Sequence, residues 1–366
     1  MSLFHGRLGL QQRVLPAYRV PFFDLLAASC TGGLSLFAGE PRPVEQIVSG
    51  EPQVARHFPA RNLHFFSGPL YLCHQSGITD WLSEWDPDAL IVEANPRYGA
   101  TPSAVRWMHA RGRPVLGWGL GAPQPSGPFP GLRSQRWLGF LRQFDGLIAY
   151  SRRGADEYAA LGFPRERIFV AYNAVSPAPA VAVSGAERSR TAPPSLLFVG
   201  RLQARKRLNM LLYACAQLDI HPRLVIVGDG PERAALERLA AEVYPFAQFA
   251  GEKHGAELEP YFAQADLFVL PGTGGLAVQQ AMSHALPVVV ARGDGTQDDL
   301  VRPANGWQIP PDDPAALLAA LREALSDLPR LRRMGRESYR IVAEEINIGR
   351  MVDAFVESLN AVRLSS

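Results

Sequence analysis

SLLFVGRLQARKRLNMLLYA, residues 195–214, carries the pattern that decides the fold. It opens with an apolar run that lacks polar alternation, as expected of a strand covered on both faces. Gly200 closes the run, a short polar stretch follows, and LNMLLYA returns to helical spacing. Arg201 and Lys206 fall in the loop and first turn after the strand, with Arg205 and Arg207 beside them. Cations at a helix N-terminus oppose the helix dipole, so local structure gives no reason for four of them. A guanidinium fork and an ammonium point charge suit a diphosphate, which makes Arg201 and Lys206 candidate ligand contacts. Arg205 and Arg207 read as a solvated helix start.

The same strand-turn-helix unit recurs downstream at RLVIVG (223–228), AQFAG (247–251), DLFVL (266–270), PVVVA (287–291) and GWQIP (306–310). Upstream it recurs at LSLFAG (34–39), ALIVEA (89–94), PVLGW (114–118), GLIAY (146–150) and RIFVAY (167–172), with helices predicted over 20–30, 76–85, 102–111 and 151–161. The Pro- and Ala-rich stretch SPAPAVAVSGAERSRTAPP (176–194) loses all periodicity and reads as a linker. Repetition of this kind predicts an α/β chain of two doubly wound, Rossmann-like domains facing a cleft. Residues 1–175 form the first, 195–345 the second, and 346–366 a C-terminal helix crossing back to the first. Helices are predicted at 313–326, 329–345 and 347–364.

A second turn complements the basic run. In PGTGGLAVQQAMSHALPVVV (271–290), Gly272, Gly274 and Gly275 allow a backbone to approach a ligand closely, and a helix starting near Leu276 directs free N–H groups at it. Tight turns need glycine for steric reasons alone, so only the pairing with Arg201 and Lys206 points to a phosphorylated ligand. The glycines of VGDGPERAALERLA (227–240) read as structural.

Composition narrows the class. Of 366 residues, 47% are hydrophobic and 20% charged, which is a folded, globular balance, and the net charge of +2 argues against a dedicated nucleic-acid binder. Three cysteines, Cys30, Cys73 and Cys215, are odd in number and widely spaced, as suits thiols in a reducing compartment. The N-terminal stretch lacks the apolar core of a secretion signal, and no run approaches the ~18 apolar residues that span a bilayer. The expectation is a cytoplasmic protein. Weak peripheral contact with the inner membrane face is expected, if anywhere, at GLRSQRWLGFLRQF (131–144), where arginines mix with Trp137, Phe140 and Leu141; the plain alternative is an ordinary core helix. No His or Asp cluster has metal-ligand spacing, and the eight histidines show no pairing pattern.

Taken in order, FVGRLQARKRLNMLL, LVIVGDGPERAALERLA, YFAQADLFVLPG, GGLAVQQAMSHALPVVV and NGWQIPPDDPAALLAAL resemble the GT-B glycosyltransferases, and among them the retaining family often called family four or glycosyl transferases group 1. The resemblance covers about 195–330 and extends more weakly to 150–175. It implies that Arg201 and Lys206 neutralise the diphosphate of a nucleotide-sugar donor. Gly274, Gly275 and Leu276 match the loop that touches phosphate and sugar, and Gly251 the backbone contact to the base. Gln280 matches the second of two glutamates spaced eight apart, which holds the ribose hydroxyls; Gly272 matches the first, which contacts the donor sugar. Both glutamates are therefore missing. An amide at Gln280 can still hydrogen-bond a diol, although Gln279 and Gln280 also read as a solvated helix face. The family's leaving diphosphate is thought to assist removal of the acceptor proton, which implies catalysis without metal or resident cofactor.

In the first domain, QQRVLPAYRVPFFDLLAASC resembles the acceptor-side opening of some members. Glu93, Asn95 and Arg97 follow a strand and are acceptor-side candidates; Trp118 is another, able to stack on a sugar or to fill core. The leading reading is transfer of a sugar to a cell-envelope glycan, lipid or small-molecule acceptor. The alternative is an inactive nucleotide-sugar-binding subunit. A Rossmann oxidoreductase would want G-x-G-x-x-G after a first strand, and no turn supplies it.

Overall fold

The computed structural model describes residues 2–45, 47–122, 130–179, 193–274, 276–293 and 295–364. The chain divides into two units. One comprises Met1–Val175 with Ile348–Ser366, the other Ser176–Asn347. Residues 180–192 of the expected linker lie outside the described residues.

Unit one is built on strands β1 (Leu8–Val14), β2 (Leu34–Gly39), β3 (Arg56–Phe65), β4 (Leu72–Ser76), β5 (Ala89–Glu93), β6 (Val115–Gly119), β7 (Gly146–Ala149) and β8 (Ile168–Val170). Its helices are α1 (Val20–Ala28), α2 (Ile78–Trp85), α3 (Thr101–His109), α4 (Pro130–Leu141) and α5 (Arg152–Ala160). The sheet order is β4-β3-β2-β1-β5-β6-β7-β8, parallel except for the antiparallel β3–β4 pair. Leu8, Leu10, Leu36 and Ile91 point to one core with α1, and Phe37, Leu90, Val92 and Leu147 to the other with α2, α3 and α5.

Two parts of this sheet were not expected from the sequence. β1 is LGLQQRV, buried along nearly all its length although it carries Gln11 and Gln12. The Gln11 side chain and the Gln12 main chain are tied to distant parts of the chain: the Gln11 amide N–H donates to the Gln75 side chain, the Gln11 side-chain oxygen accepts from Glu93 N–H at 3.1 Å, and the Gln75 amide donates to the Gln12 main-chain carbonyl at 3.0 Å. The Gln12 amide donates locally, to the Gln11 carbonyl at 3.4 Å. A buried polar strand residue is tolerated when so paired, and no local pattern announces the partners. The β3–β4 hairpin was missed because RHFPARNLHF shows no clean apolar alternation.

Unit two has β9 (Ser195–Val199), β10 (Arg223–Val227), β11 (Ala247–Gly251), β12 (Leu267–Leu270), β13 (Val288–Ala291) and β14 (Gly306–Ile309). Its helices are α6 (Leu208–Ala216), α7 (Arg233–Val243), α8 (Glu259–Gln264), α9 (Ala277–Ser283), α10 (Thr296–Leu300), α11 (Pro314–Ser326) and α12 (Leu328–Arg340). The order β11-β10-β9-β12-β13-β14 is wholly parallel. α12 runs into a π turn over Ile341–Glu345, closed by the Asn347 amide, which donates to the Val342 and Ala343 carbonyls at 3.0 Å each.

The last helix, α13 (Ile348–Leu364), belongs to unit one. Met351, Val352, Phe355, Val356 and Leu359 are fully buried in the core that also holds Phe22 and Leu26 of α1. α4 is mostly solvent-facing, but its Trp137 and Phe140 lean onto the opposite core. Among the described residues no helix is long and apolar enough to cross a membrane.

Candidate functional site

In an open parallel sheet the loops at the point where strand order reverses form the ligand crevice. In unit two that point lies between β9 and β12, and the loops that follow them are the basic run and the glycine turn. The two are stapled together. Thr273 N–H donates to the Arg205 carbonyl at 3.1 Å. Lys206, buried at the end of a short 3₁₀ turn, donates from Nζ to the carbonyls of Thr273 at 2.9 Å and Gly274 at 2.8 Å. An ammonium has three N–H donors, so one remains for a ligand. Burial pushes its pKa down to about 8, and the charge of Arg205 acts in the same direction.

Gly272 explains its own identity. A Cβ there would lie 2.1 Å from the Arg205 carbonyl oxygen and 2.6 Å from the Lys206 backbone. The crossing of the two loops occupies the space that a glutamate would need.

The four cations of the basic run part company in space. Arg201 is exposed in the segment after β9. Arg205 turns toward the glycine loop, its guanidinium 3.3 Å from the position a Gly274 Cβ would take, while Nε donates to Gln203 at 2.9 Å. Arg207 adopts a left-handed conformation, φ 55°, and pairs with Asp312. Arg205 is exposed, as the sequence reading has it, and it also lies beside the glycine loop.

Gly274 is left-handed, φ +72°. Gly275 lies outside the described residues. Leu276 is exposed at the start of α9, with no side chain capping that helix. Gln280 is half-buried on α9, whereas Gln279 is buried and donates to the Ile346 carbonyl at 2.8 Å, so the solvated face suggested for both is wrong for Gln279. Gly251 ends β11 at φ +75°, and its carbonyl accepts from Gly228 N–H at 2.7 Å. Gly228 is packed against the Gly200 backbone and Gly230 against Leu202, which leaves no room for Cβ atoms.

Unit one reverses its strand order between β1 and β5. There Glu93 accepts from Arg13 N–H at 2.9 Å. Burial pushes its carboxyl up to about 7, against the pull of Arg13, Tyr98 and Arg19. The Arg13 guanidinium pairs with Glu45 at 2.9 Å; against the upward pull of burial, Arg13 and Arg42 hold that carboxylate down at about 2. Asn95 shapes its own turn, accepting from Arg97 N–H at 3.1 Å, and Arg97 is exposed. Trp118 is 1% exposed, ringed by Phe22, Tyr150 and Phe355 with ring centroids 5.0–5.8 Å away, and Arg19 lies 5.3 Å from its ring. Both faces of the indole are taken by protein, which corrects its candidacy for sugar stacking: it is core. Sequence reasoning missed Arg13, Glu45 and Tyr98. Arg19, inside the stretch QQRVLPAYRVPFFDLLAASC, is also buried and donates to Asn173 at 2.6 Å. The signal that would have found the two arginines was β1 itself, since Arg13 lies near its end and Arg19 shortly after it.

Two doubly wound units with these crevices define the GT-B architecture. The crystal structure of HepE from Anabaena in complex with UDP superposes with a TM-score of 0.69 at 16% identity, covering 99% of this chain and 100% of that one. Residues 193–327 match the family model described as Glycosyl transferases group 1, so the second unit is a group 1 glycosyltransferase domain. That segment's curated relatives include the sulfoquinovosyl transferase SQD2 of Arabidopsis thaliana, 35% identical over 140 residues that are 37% of this chain and 27% of the relative. A GDP-mannose-dependent alpha-mannosyltransferase of Mycolicibacterium smegmatis is 40% identical over 115 residues, 31% of this chain and 29% of the relative. The matches thus span less than a third of either relative's length.

Proposed function

We propose that the protein is a hexosyltransferase that moves a sugar from a nucleotide-diphosphate sugar to a glycan, lipid-linked or small-molecule acceptor, with retention of configuration. The observation that carries this is the stapling of the basic run to the glycine turn through Lys206 at the switch point of a group 1 glycosyltransferase domain. In the reaction the bond from the anomeric carbon to the diphosphate breaks, the acceptor oxygen bonds that carbon, and its proton passes to the departing diphosphate. Charge therefore grows on the leaving group, where preorganised donors matter most. The free N–H of Lys206, with Arg201 and Arg205, serves that charge, so the reading needs neither metal nor resident cofactor. Gln280 would hold the ribose hydroxyls through its amide, the Gly251 backbone would meet the base, and the loop Gly274–Leu276 the phosphate and sugar. Glu93, Asn95 and Arg97, joined by Arg13 and Arg19, are the acceptor side. Three unpaired, buried cysteines suit the reducing cytoplasm.

The second reading, a binding subunit without catalysis, draws on Gly272: the sugar contact made by the family's first glutamate has no side chain here. The test is release of nucleoside diphosphate from a panel of UDP-, GDP- and ADP-sugars. Turnover of one class, lowered on the order of 100-fold in Arg201→Ala, is expected. A protein that binds the nucleotide yet releases nothing from any donor would instead be the binding subunit.

A further inference from the structure

We propose that the tip of the β3–β4 hairpin is a docking element for an anionic lipid surface. β3 pairs with β2 only as far as Ala60; from Arg61 onward it pairs with β4 alone. Opposite residues of a hairpin share a face, so Leu63 and Phe65 lie with His74 and Leu72, while Asn62 and His64 lie with Gln75 and Cys73. The second face is polar and turned inward: Cys73 and Gln75 are buried, Asn62 donates to the Arg13 carbonyl at 2.8 Å, and His64 meets Tyr71 at 2.9 Å. The first face and the tip are apolar and open to solvent. Phe65 is 48% exposed, Phe66 72%, Leu70 72% and Leu72 44%.

Two further observations separate this tip from ordinary surface. Phe66 holds a left-handed backbone, φ 59°, which is costly for a bulky residue, and no burial of its ring offsets the cost. Strain of this kind persists where function needs it. The charge near the tip is mainly positive: residues 54–79 include Arg56, Arg61 and three histidines but no aspartate or glutamate. The carboxylates that reach the hairpin are held by arginines, Glu84 by Arg56 and Glu45, near His64, by Arg13 and Arg42. Arg61 is exposed at the base of the apolar face. Aromatic and aliphatic side chains beyond an exposed cation, with the nearby acids already held by arginines, are the chemistry that recognises an anionic bilayer. Unlike the helix at 131–144, whose Trp137 and Phe140 lean onto core, the hairpin keeps its apolar groups free for that surface. The docking is independent of the donor chemistry of unit two.

Co-sedimentation with vesicles of phosphatidylcholine, with and without phosphatidylglycerol, tests it. The wild-type chain is expected to bind the anionic vesicles, and Phe66→Ser/Leu70→Ser to bind them at least about tenfold more weakly. Arg61→Ala should cost about fivefold at low salt and less at high salt. Phe66→Gly separates function from stability: glycine suits the left-handed backbone, so its thermal midpoint should hold or rise while vesicle binding falls. Wild-type chain that ignores anionic vesicles, or a double variant that binds as wild type does, overturns the proposal. So does self-association abolished by the double variant without vesicle binding, which would make the hairpin a contact between two copies.

Discussion

At the scale of single residues, the loop crossing at Gly272 decides how the missing glutamate is understood. Conservative logic would restore it. The geometry predicts the opposite: with the Arg205 carbonyl 2.1 Å from the required Cβ, Gly272→Glu must push the basic run away from the glycine turn. Overpacking of this kind costs about 1–3 kcal/mol, and the displaced backbone carries Lys206 with it. The variant is expected to unfold at lower denaturant concentration and to bind nucleotide more weakly; a stable variant with improved donor turnover would show that the loops can separate freely. Arg201, Lys206 and Gly274 were legible in the sequence, because a strand end, a basic run and a glycine turn are all local signals. The neighbourly role of Arg205 was not, since it depends on how two loops 67 residues apart meet, as the Lys206–Thr273 bond does.

At the scale of elements, β1 shows where sequence reading runs out. Ser195–Val199 announces itself by an unbroken apolar run, whereas Leu8–Val14 carries two glutamines and is tied by the Gln11 side chain and the Gln12 carbonyl to groups 63–82 residues away. A strand satisfied by such distant amides has no local signature. Missing it concealed Arg13 and its pairing with Glu45, which join the Glu93 that the sequence did show. The consequence that can be measured is the pH dependence of Glu93. Its pKa is raised in the folded chain to about 7 from an ordinary 4.5, so the folded state binds more protons than the unfolded state between those values. Stability conferred by the protonated carboxyl is therefore full below pH 4.5 and lost as pH rises through about 7. The loss integrates to roughly 3 kcal/mol. Glu93→Gln, neutral throughout, should flatten this part of a urea-unfolding profile measured from pH 4.5 to 8; an unchanged slope would show that Glu93 is not the titrating group.

At the scale of the whole molecule, the two-domain α/β organisation was legible because strand-helix repetition survives over both halves of the chain. The last helix, Ile348–Leu364, packs within the first unit. Its buried Met351, Val352, Phe355, Val356 and Leu359 complete a core with α1, and large-to-small changes at such positions cost about 2–5 kcal/mol each. Removing residues 348–366 should therefore expose that core and unfold unit one, while the group 1 domain keeps its own sheet and its nucleotide affinity. Limited proteolysis that leaves unit one intact in the truncated chain would contradict this division of labour.

The measurement closest to the central claim is calorimetric titration of UDP, GDP and ADP, without added metal, into wild-type chain and Lys206→Met at several pH values. If Lys206 clamps the glycine turn and faces the diphosphate, one nucleotide binds the wild type, and its affinity declines as pH rises through about 8, where the ammonium loses its charge. In Lys206→Met the affinity is lower and this inflection disappears. Wild-type affinity in Lys206→Met, or an inflection that persists there, would contradict the assignment of the donor diphosphate to this crevice.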